Sequence, residues 1–185
     1  MALRPIAVGE TLRRLVSKIA MRSPHVLEAI NHLMPTQLGV GVPGAAETIP
    51  MALQNWVTSH AGDRGWLAMQ VDLTNALNTI ESLAILTEIT ARDPALCDWA
   101  SFCYNEHSLL FSGGLPIRSE QGVQQGDPLG PLFFSLAWQK VVESLPIDLS
   151  LNLWYLDDGH LVGSPSVSKK FTFWPSEMKF LKFSL

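Results

Sequence analysis

Residues 151 to 163 have the sequence LNLWYLDDGHLVG, in which two short apolar segments flank Asp157, Asp158 and Gly159. An Asp-Gly pair between apolar segments is the strongest short-range signal for a β-hairpin. The sequence therefore predicts two antiparallel strands joined at Asp157-Asp158-Gly159, with two adjacent carboxylates at the tip of the hairpin.

A second strand candidate lies upstream at residues 66 to 73, WLAMQVDL, which are apolar apart from Gln70 and Asp72. Because side chains alternate between the two faces of a strand, Gln70 and Asp72 are expected on the same face. Aspartate is depleted in strands. Its presence here, as in the hairpin, therefore needs a chemical reason.

Helical spacing of apolar residues predicts several helices around these strands. They span residues 10 to 21, 45 to 60, 74 to 90 and 128 to 145, and Asp93-Pro94 ends one helix and begins another that runs to about Tyr104. A short two-stranded element is predicted around Gly113-Gly114. The predicted class is α+β, with an antiparallel sheet backed by helices.

Composition sets further limits on the function. The chain has 185 residues, of which 47% are hydrophobic, enough for one domain or one domain with a subdomain. It lacks the roughly 20 consecutive apolar residues of a membrane-spanning helix, so we expect a soluble intracellular protein, nuclear or cytoplasmic, without a membrane partner. Its cysteines and histidines lack zinc-ligand spacing. Residues 23 to 168 carry four basic and fifteen acidic residues, while both ends are basic.

Carboxylates grouped at the ends of strands are suited to hard cations. Mg²⁺ commonly binds one or two carboxylates together with substrate phosphates, and paired ions lie roughly 3.5 to 4 Å apart in phosphoryl-transfer sites. Asp72, Asp157 and Asp158 would then hold two Mg²⁺ ions, with Mn²⁺ as an alternative. Plainer explanations also exist, because Asp157-Asp158-Gly159 is ordinary turn chemistry and Asp72 is a suitable cap for a helix near Thr74.

Three segments resemble motifs A, B and C of reverse transcriptases, and they occur in the same order. They are VDLTNALNTI (71 to 80), QGVQQGDPLGPLFFSL (121 to 136) and YLDD (155 to 158). Arg4-Pro5-Ile6 and Gln37-Leu38-Gly39 resemble early segments of the non-LTR retrotransposon type. The resemblance implies an RNA-directed DNA polymerase that adds dNTPs to the 3′-hydroxyl of a DNA primer on an RNA template.

The resemblance also assigns roles to individual residues. It makes Asp72 and Asp157 the principal metal ligands in a two-metal nucleotidyl transfer, and Asp158 the supporting carboxylate. Arg4 matches a residue of the fingers that faces the triphosphate, with a solvated terminal arginine as the alternative.

Motif B supplies the residues expected to contact the incoming nucleotide and the template. They are Gln121, Gly122, Gln125 and Gly126. Gly126 and Pro128 are equally suited to a plain turn and helix start. Leu77 stands where the family usually places Phe or Tyr against the ribose 2′-hydroxyl, which puts discrimination between sugars in doubt.

The resemblance divides the chain into a fingers-like portion at residues 1 to 60, a partial palm at 61 to 163, and an atypical tail at 164 to 185. The tail resembles neither the remaining palm nor the thumb of the family, so the sequence predicts a polymerase truncated after motif C, with the thumb absent. A rival hypothesis is a catalytically inactive retroelement remnant that at most binds nucleic acid. A metal-dependent phosphohydrolase would explain the carboxylates, but not QGVQQGDP (121 to 128).

Overall fold

The computed structural model describes residues 9–62, 65–124, 126–145 and 148–164, together with the backbone of 178–184. In chain order the helices are α1 (Thr11–Ala20), α2 (Pro24–Leu33), α3 (Ala45–Ser59), α4 (Ala76–Thr79), α5 (Ser82–Arg92), α6 (Cys97–Tyr104) and α7 (Gly130–Glu143), with a 3₁₀ turn at Pro94–Leu96. The strands are β1 (Leu67–Leu73), β2 (Ser108–Ser112), β3 (Leu115–Ser119), β4 (Leu149–Tyr155), β5 (Asp158–Gly163) and β6 (Met178–Ser184). None of the helices in these ranges has both the length and the hydropathy needed to cross a bilayer.

The chain divides into two compact units, each made of two separate segments. Unit 1 comprises Met1–Leu33 and Asn75–Lys140, and unit 2 comprises Met34–Thr74 and Val141–Leu185. The predicted α+β class is confirmed, because helices accompany an antiparallel sheet. The boundaries predicted for fingers, palm and tail stay a prediction.

Unit 1 is mainly helical. Its core includes Ile85 and Ile89 of α5, Ala100 of α6 and Phe133 of α7, all essentially inaccessible to solvent. The Tyr104 ring meets the Phe133 ring edge to face, with 5.7 Å between centroids. The unit is therefore held by apolar packing among helices, and the β2–β3 hairpin adds a two-stranded sheet.

Helix α1 is amphipathic, as its spacing predicts, but it does not bury its apolar side. Leu12 is 72% and Ile19 64% exposed, whereas Ser17 is buried. The polar side of the helix makes the contacts. Trp99 Nε1 donates to Ser17 Oγ at 3.4 Å, and Arg13 forms a salt bridge with Asp127. Polar contacts therefore hold this helix to unit 1.

The helix predicted over residues 74 to 90 is two helices, α4 and α5. Ile80 and Glu81 between them have extended backbone, with ψ of 134° and 131°. The break leaves the Ile80 carbonyl free of the helical ladder, and it accepts a hydrogen bond from Gly122 N–H at 2.7 Å. The sequence did not predict α2 or β6.

Unit 2 is built on an antiparallel sheet with the strand order β4-β5-β1-β6. Helix α3 packs on one side of β4, where Ala45 and Ile49 join Leu38 in an apolar cluster against Leu153. Along β1, Met69, Val71 and Leu73 are buried, while Asp72 is exposed. The sheet therefore has a buried face and a second face, on which Asp72 is accessible and α3 covers Leu153 of β4.

Candidate active site

The three predicted metal ligands all lie in unit 2. The register of β1 against β5 pairs Asp72 directly with Asp158, and both side chains are exposed. Residues opposite one another in an antiparallel pair project from the same face, with Cβ atoms about 4.5 to 5.5 Å apart. Asp157 lies next to this pair, in the turn between β4 and β5. The strand register thus puts Asp72 and Asp158 opposite one another and leaves Asp157 in the adjoining turn.

The hairpin turn is not where the sequence predicts it. Tyr155 pairs with Asp158, so the turn residues are Leu156 and Asp157, while Asp158 and Gly159 belong to β5. Gly159 serves packing instead: a Cβ there would lie 2.7 Å from the ring of buried Trp154. The Asp-Gly signal was therefore wrong about the turn, because this glycine is required by a side chain that covers it.

Leu156 makes the turn in an unusual way for its residue type. Its φ is 55°, in the left-handed region. A residue with a Cβ is disfavoured there by roughly 1–2 kcal/mol, so surrounding contacts must hold it. Gln37 supplies such contacts, because Leu156 N–H donates to Gln37 Oε1 at 2.8 Å and Gln37 Nε2 donates to Leu156 O at 3.0 Å.

The accessible face that carries Asp72 and Asp158 also holds Gln70, Tyr155 and His160, and we call these five residues the aspartate face. Gln70 pairs with His160 across β1 and β5, and Tyr155 pairs with Asp158 across β4 and β5. Burial lowers the pKa of His160, while the negative charge of Asp158 acts in the opposite direction. The imidazole is therefore neutral at neutral pH and does not balance the two carboxylates.

The donor set of the aspartate face fits a hard divalent cation. Like charges placed directly opposite one another on paired strands destabilise a sheet, and a cation between Asp72 and Asp158 would remove that repulsion. Across the described ranges, no group of three or more His, Cys, Asp or Glu side chains is arranged to hold a metal ion. Two facing carboxylates are nevertheless the usual protein share of a Mg²⁺ site that substrate phosphates complete. The roles of Asp72, Asp157 and Asp158 as ligands stay a prediction.

The motif B residues lie in unit 1, where their loop is attached to α4. Gly122 N–H donates to Ile80 O and Val123 N–H donates to Leu77 O, both at 2.7 Å. Gly122 has φ 83°, and a Cβ there would lie 2.5 Å from the Asn78 carbonyl carbon. Only glycine permits this approach. The loop after β3 is thus fixed to the helix that carries the half-buried Leu77.

Asp127 has a structural role that the amino-acid sequence did not predict. It is 3% exposed, its Oδ1 accepts from Leu129 N–H at 3.0 Å, and its Oδ2 lies 3.1 Å from Arg13 Nη2. The Arg13 guanidinium also lies 5.1 Å from the centroid of the Tyr104 ring. Burial raises the pKa of Cys103, beside this group, to about 11, and raises that of Tyr104 as well. Asp127 therefore joins the start of α7 to α1.

The remaining predicted nucleotide contacts have different outcomes. Gln121 and Gly126 are exposed, and Gly126 has φ 109°, which suits it to a turn before α7. Arg4 and Gln125 lie outside the described residues. Their proposed contacts with nucleotide and template stay predictions.

The fold of the chain is similar to that of a solved structure of apo telomerase from Candida tropicalis, truncated from its C-terminal domain. The TM-score is 0.59 and the identity is 14%, over 95% of this chain and 41% of the telomerase chain. At this identity the likeness concerns the fold alone. The chain spans less than half of the telomerase chain that it matches. No protein-family model and no curated protein matches the sequence.

Proposed function

We propose that the chain is the fingers and palm portion of an RNA-directed DNA polymerase, which joins dNTPs to the 3′-hydroxyl of a DNA primer on an RNA template. The observation that carries this proposal is the direct pairing of Asp72 with Asp158, with Asp157 in the adjoining turn. The telomerase-like fold supports the reaction class. Assignment to the non-LTR retrotransposon type rests on the motif sequences.

In this proposal Asp72 and Asp158 of the aspartate face, together with Asp157 of the turn, bind two Mg²⁺ ions, or Mn²⁺ in their place. The bound ions would lower the pKa of the primer 3′-hydroxyl and neutralise charge on the leaving pyrophosphate. Asp72 and Asp158 supply carboxylate oxygens from two adjacent strands, and Asp157 supplies a third group from the turn. Because the strands hold both carboxylates in register, little rearrangement is needed to form the site.

The resemblance supplies the proposed contacts with the nucleotide and the template. Gln121, Gly122 and Gly126 have this role by resemblance, as do Arg4 and Gln125. Leu77 occupies the position of the ring that would meet a ribose 2′-hydroxyl. A leucine there lacks a flat surface to oppose the hydroxyl, so we expect weaker exclusion of ribonucleotides than in relatives with Phe or Tyr.

A second candidate function is a non-catalytic protein that binds nucleic acid. The charge distribution counts against a processive polymerase, because residues 23 to 168 contain only four basic residues. Neutralisation of phosphates by Lys and Arg supplies much of the affinity for a duplex. We therefore expect the polymerase, if active as this chain, to add single nucleotides and not to synthesise processively.

Single-nucleotide addition to a DNA primer on an RNA template, with Mg²⁺ or Mn²⁺, tests the proposal. We compare the wild-type chain with Asp157→Ala and Asp72→Asn, and use Glu28→Gln, which removes an exposed carboxylate from α2, as the matched control. Loss of a metal ligand should lower the rate by about 10³-fold, the scale seen when one group that stabilises a transition-state charge is removed.

The outcomes separate the two candidate functions. Metal-dependent addition by the wild type and by Glu28→Gln, lost in both aspartate variants, supports the polymerase. A wild-type chain that binds the primer–template but adds no nucleotide supports the non-catalytic protein. Addition that survives both Asp157→Ala and Asp72→Asn would show that these aspartates do not form the active site.

A further inference from the structure

The segment Thr36–Gly39 lies alongside β4, close to the turn that carries Asp157. Trp154 N–H donates to Thr36 O at 2.7 Å, and Leu38 N–H donates to Trp154 O at 2.8 Å. These bonds form an isolated parallel bridge between Gln37 and Trp154. The segment therefore extends the sheet beside Trp154, two residues before the first turn residue, Leu156.

The Gln37 side chain reaches from this segment into the turn. It is 1% exposed. Its amide nitrogen donates to Leu156 O at 3.0 Å, and its amide oxygen accepts from Leu156 N–H at 2.8 Å and from Gly39 N–H at 3.0 Å. One buried amide thus binds the donor and the acceptor of the same residue, which is the left-handed residue directly before Asp157.

Gly39 leaves the space that this arrangement requires. A Cβ on Gly39 would lie 2.5 Å from the Leu156 nitrogen and 3.1 Å from Gln37 Oε1. A backbone nitrogen cannot move aside as the end of a flexible side chain can. The close approach of Gly39 therefore allows Gln37 and Leu156 to meet.

We propose that Gln37 is a positioning residue whose side-chain amide holds Leu156 in the left-handed conformation and thereby sets the direction in which Asp157 leaves the turn. The proposal deepens the proposed polymerase function and rests on it for its catalytic consequence. The contact requires an amide, because one side chain must offer both a donor and an acceptor to the backbone of Leu156. Methionine has a similar length but offers neither a donor nor a strong acceptor, and ionised glutamate offers acceptors alone.

Two measurements on the full chain test the proposal, with Gln37→Met as the variant and Gln54→Met, at an exposed position of α3, as the matched control. Hydrogen exchange at the Leu156 and Gly39 amides reports on the hydrogen bonds whether or not the chain is active. Single-nucleotide addition then gives the maximal rate and the dNTP dissociation constant separately. We expect faster exchange at both amides, a rate lower by roughly 100-fold, as for a misplacement of about 1 Å, and a nearly unchanged dissociation constant.

A second variant, Gln37→Glu, keeps the proposal testable if Gln37→Met does not fold. Protonated glutamate restores a donor beside an acceptor, and burial favours the protonated form. The rate of Gln37→Glu relative to wild type should therefore rise as the pH falls. A ratio that stays constant with pH would overturn the donor and acceptor roles of the amide.

The other outcomes are equally decisive. Unchanged exchange at Leu156 in Gln37→Met overturns the contact itself, and faster exchange with an unchanged rate overturns its catalytic consequence. A wild-type chain that adds no nucleotide overturns the proposed function and the catalytic consequence together. In that case the exchange at Leu156 still decides whether Gln37 holds the turn.

Discussion

The two hairpins within the described part of the chain, β2–β3 in unit 1 and β4–β5 in unit 2, form equally short turns by different means. In β2–β3 the turn is Gly113-Gly114, with φ of 59° and 82°, and a Cβ at either position would meet nothing within 4 Å. In β4–β5 the corresponding left-handed residue is Leu156, and Gln37 binds both its backbone groups. One turn is specified by its own two residues, and the other depends on a segment far away in the sequence.

The turns differ because the residues at positive φ are glycines in β2–β3 and a leucine in β4–β5. Glycine adopts positive φ without steric penalty, so a Gly-Gly turn needs no outside contact. The β4–β5 turn instead contains Asp157, and its residue at positive φ, Leu156, has a Cβ. External hydrogen bonds must offset that unfavourable conformation, and they also fix the turn more firmly than glycines would. A turn held by distant contacts can thus be less favourable locally and better defined globally.

Among the variants that test the difference between the hairpins, Gly39→Ala is expected to lower the free energy of unfolding most. The new Cβ would press on the backbone of Leu156, and overpacking of this kind typically destabilises by about 1–3 kcal/mol. Gly113→Ala meets open space and suffers only from its positive φ, with roughly 1 kcal/mol of destabilisation. Urea unfolding of the two variants measures both values. A loss for Gly113→Ala equal to or above that of Gly39→Ala would contradict the distinction between the hairpins.

An intermediate effect is expected from a double-mutant cycle of Gln37→Met and Leu156→Gly. Glycine tolerates φ 55° unaided, so Gln37→Met should destabilise the Leu156→Gly protein less than it destabilises the wild type. We expect a coupling free energy of about 1 kcal/mol, within the range for residues in contact. The same cycle with Gln54→Met serves as the control and should be additive. Additivity in the Gln37 cycle would mean that the amide does not support the conformation of Leu156.

The smallest change in stability is expected from the paired negative charges of Asp72 and Asp158. Without divalent cations, Asp72→Asn should stabilise the chain by about 0.2–1 kcal/mol, because it removes a like-charge pair from directly opposite positions. Excess Mg²⁺ should raise the melting temperature of the wild type and have less effect on the variant. Thermal unfolding with chelator and with Mg²⁺ measures both. If Asp72→Asn and the Glu28→Gln control respond alike to Mg²⁺, the paired carboxylates do not form the cation site.

The same contrast explains how far the sequence could predict the structure. Local signals were sufficient for the Gly113-Gly114 turn, for β1 and for the shared face of Gln70 and Asp72. They misplaced the second turn because the φ of Leu156 is set by Gln37, a contact that no local pattern contains. The Arg13–Asp127 pair was missed for the same reason, since its partners come from opposite ends of unit 1's sequence.

The motif order singled out candidate residues, but it did not predict their geometry. Asp72, Asp157 and Asp158 were singled out from sequence, but the pairing of Asp72 with Asp158 depends on the register of β1 and β5. That register changes with the position of the turn, and a shift by one residue moves side chains to the other face. The sequence could therefore identify the carboxylates without showing which two would be opposite one another.

The position of β1 in the sheet has a consequence for how the protein is made. Strand β1 lies between β5 and β6, so Asp72 pairs with Asp158 on one side and with the backbone of Lys179 on the other. Both partners are synthesised after β1, and at about 5 to 20 residues per second they emerge roughly 5 to 20 s later. During that interval an apolar strand has two unpaired edges, which are templates for aggregation. We therefore expect the yield of folded chain to depend on translation speed and on chaperones that bind residues 67 to 73.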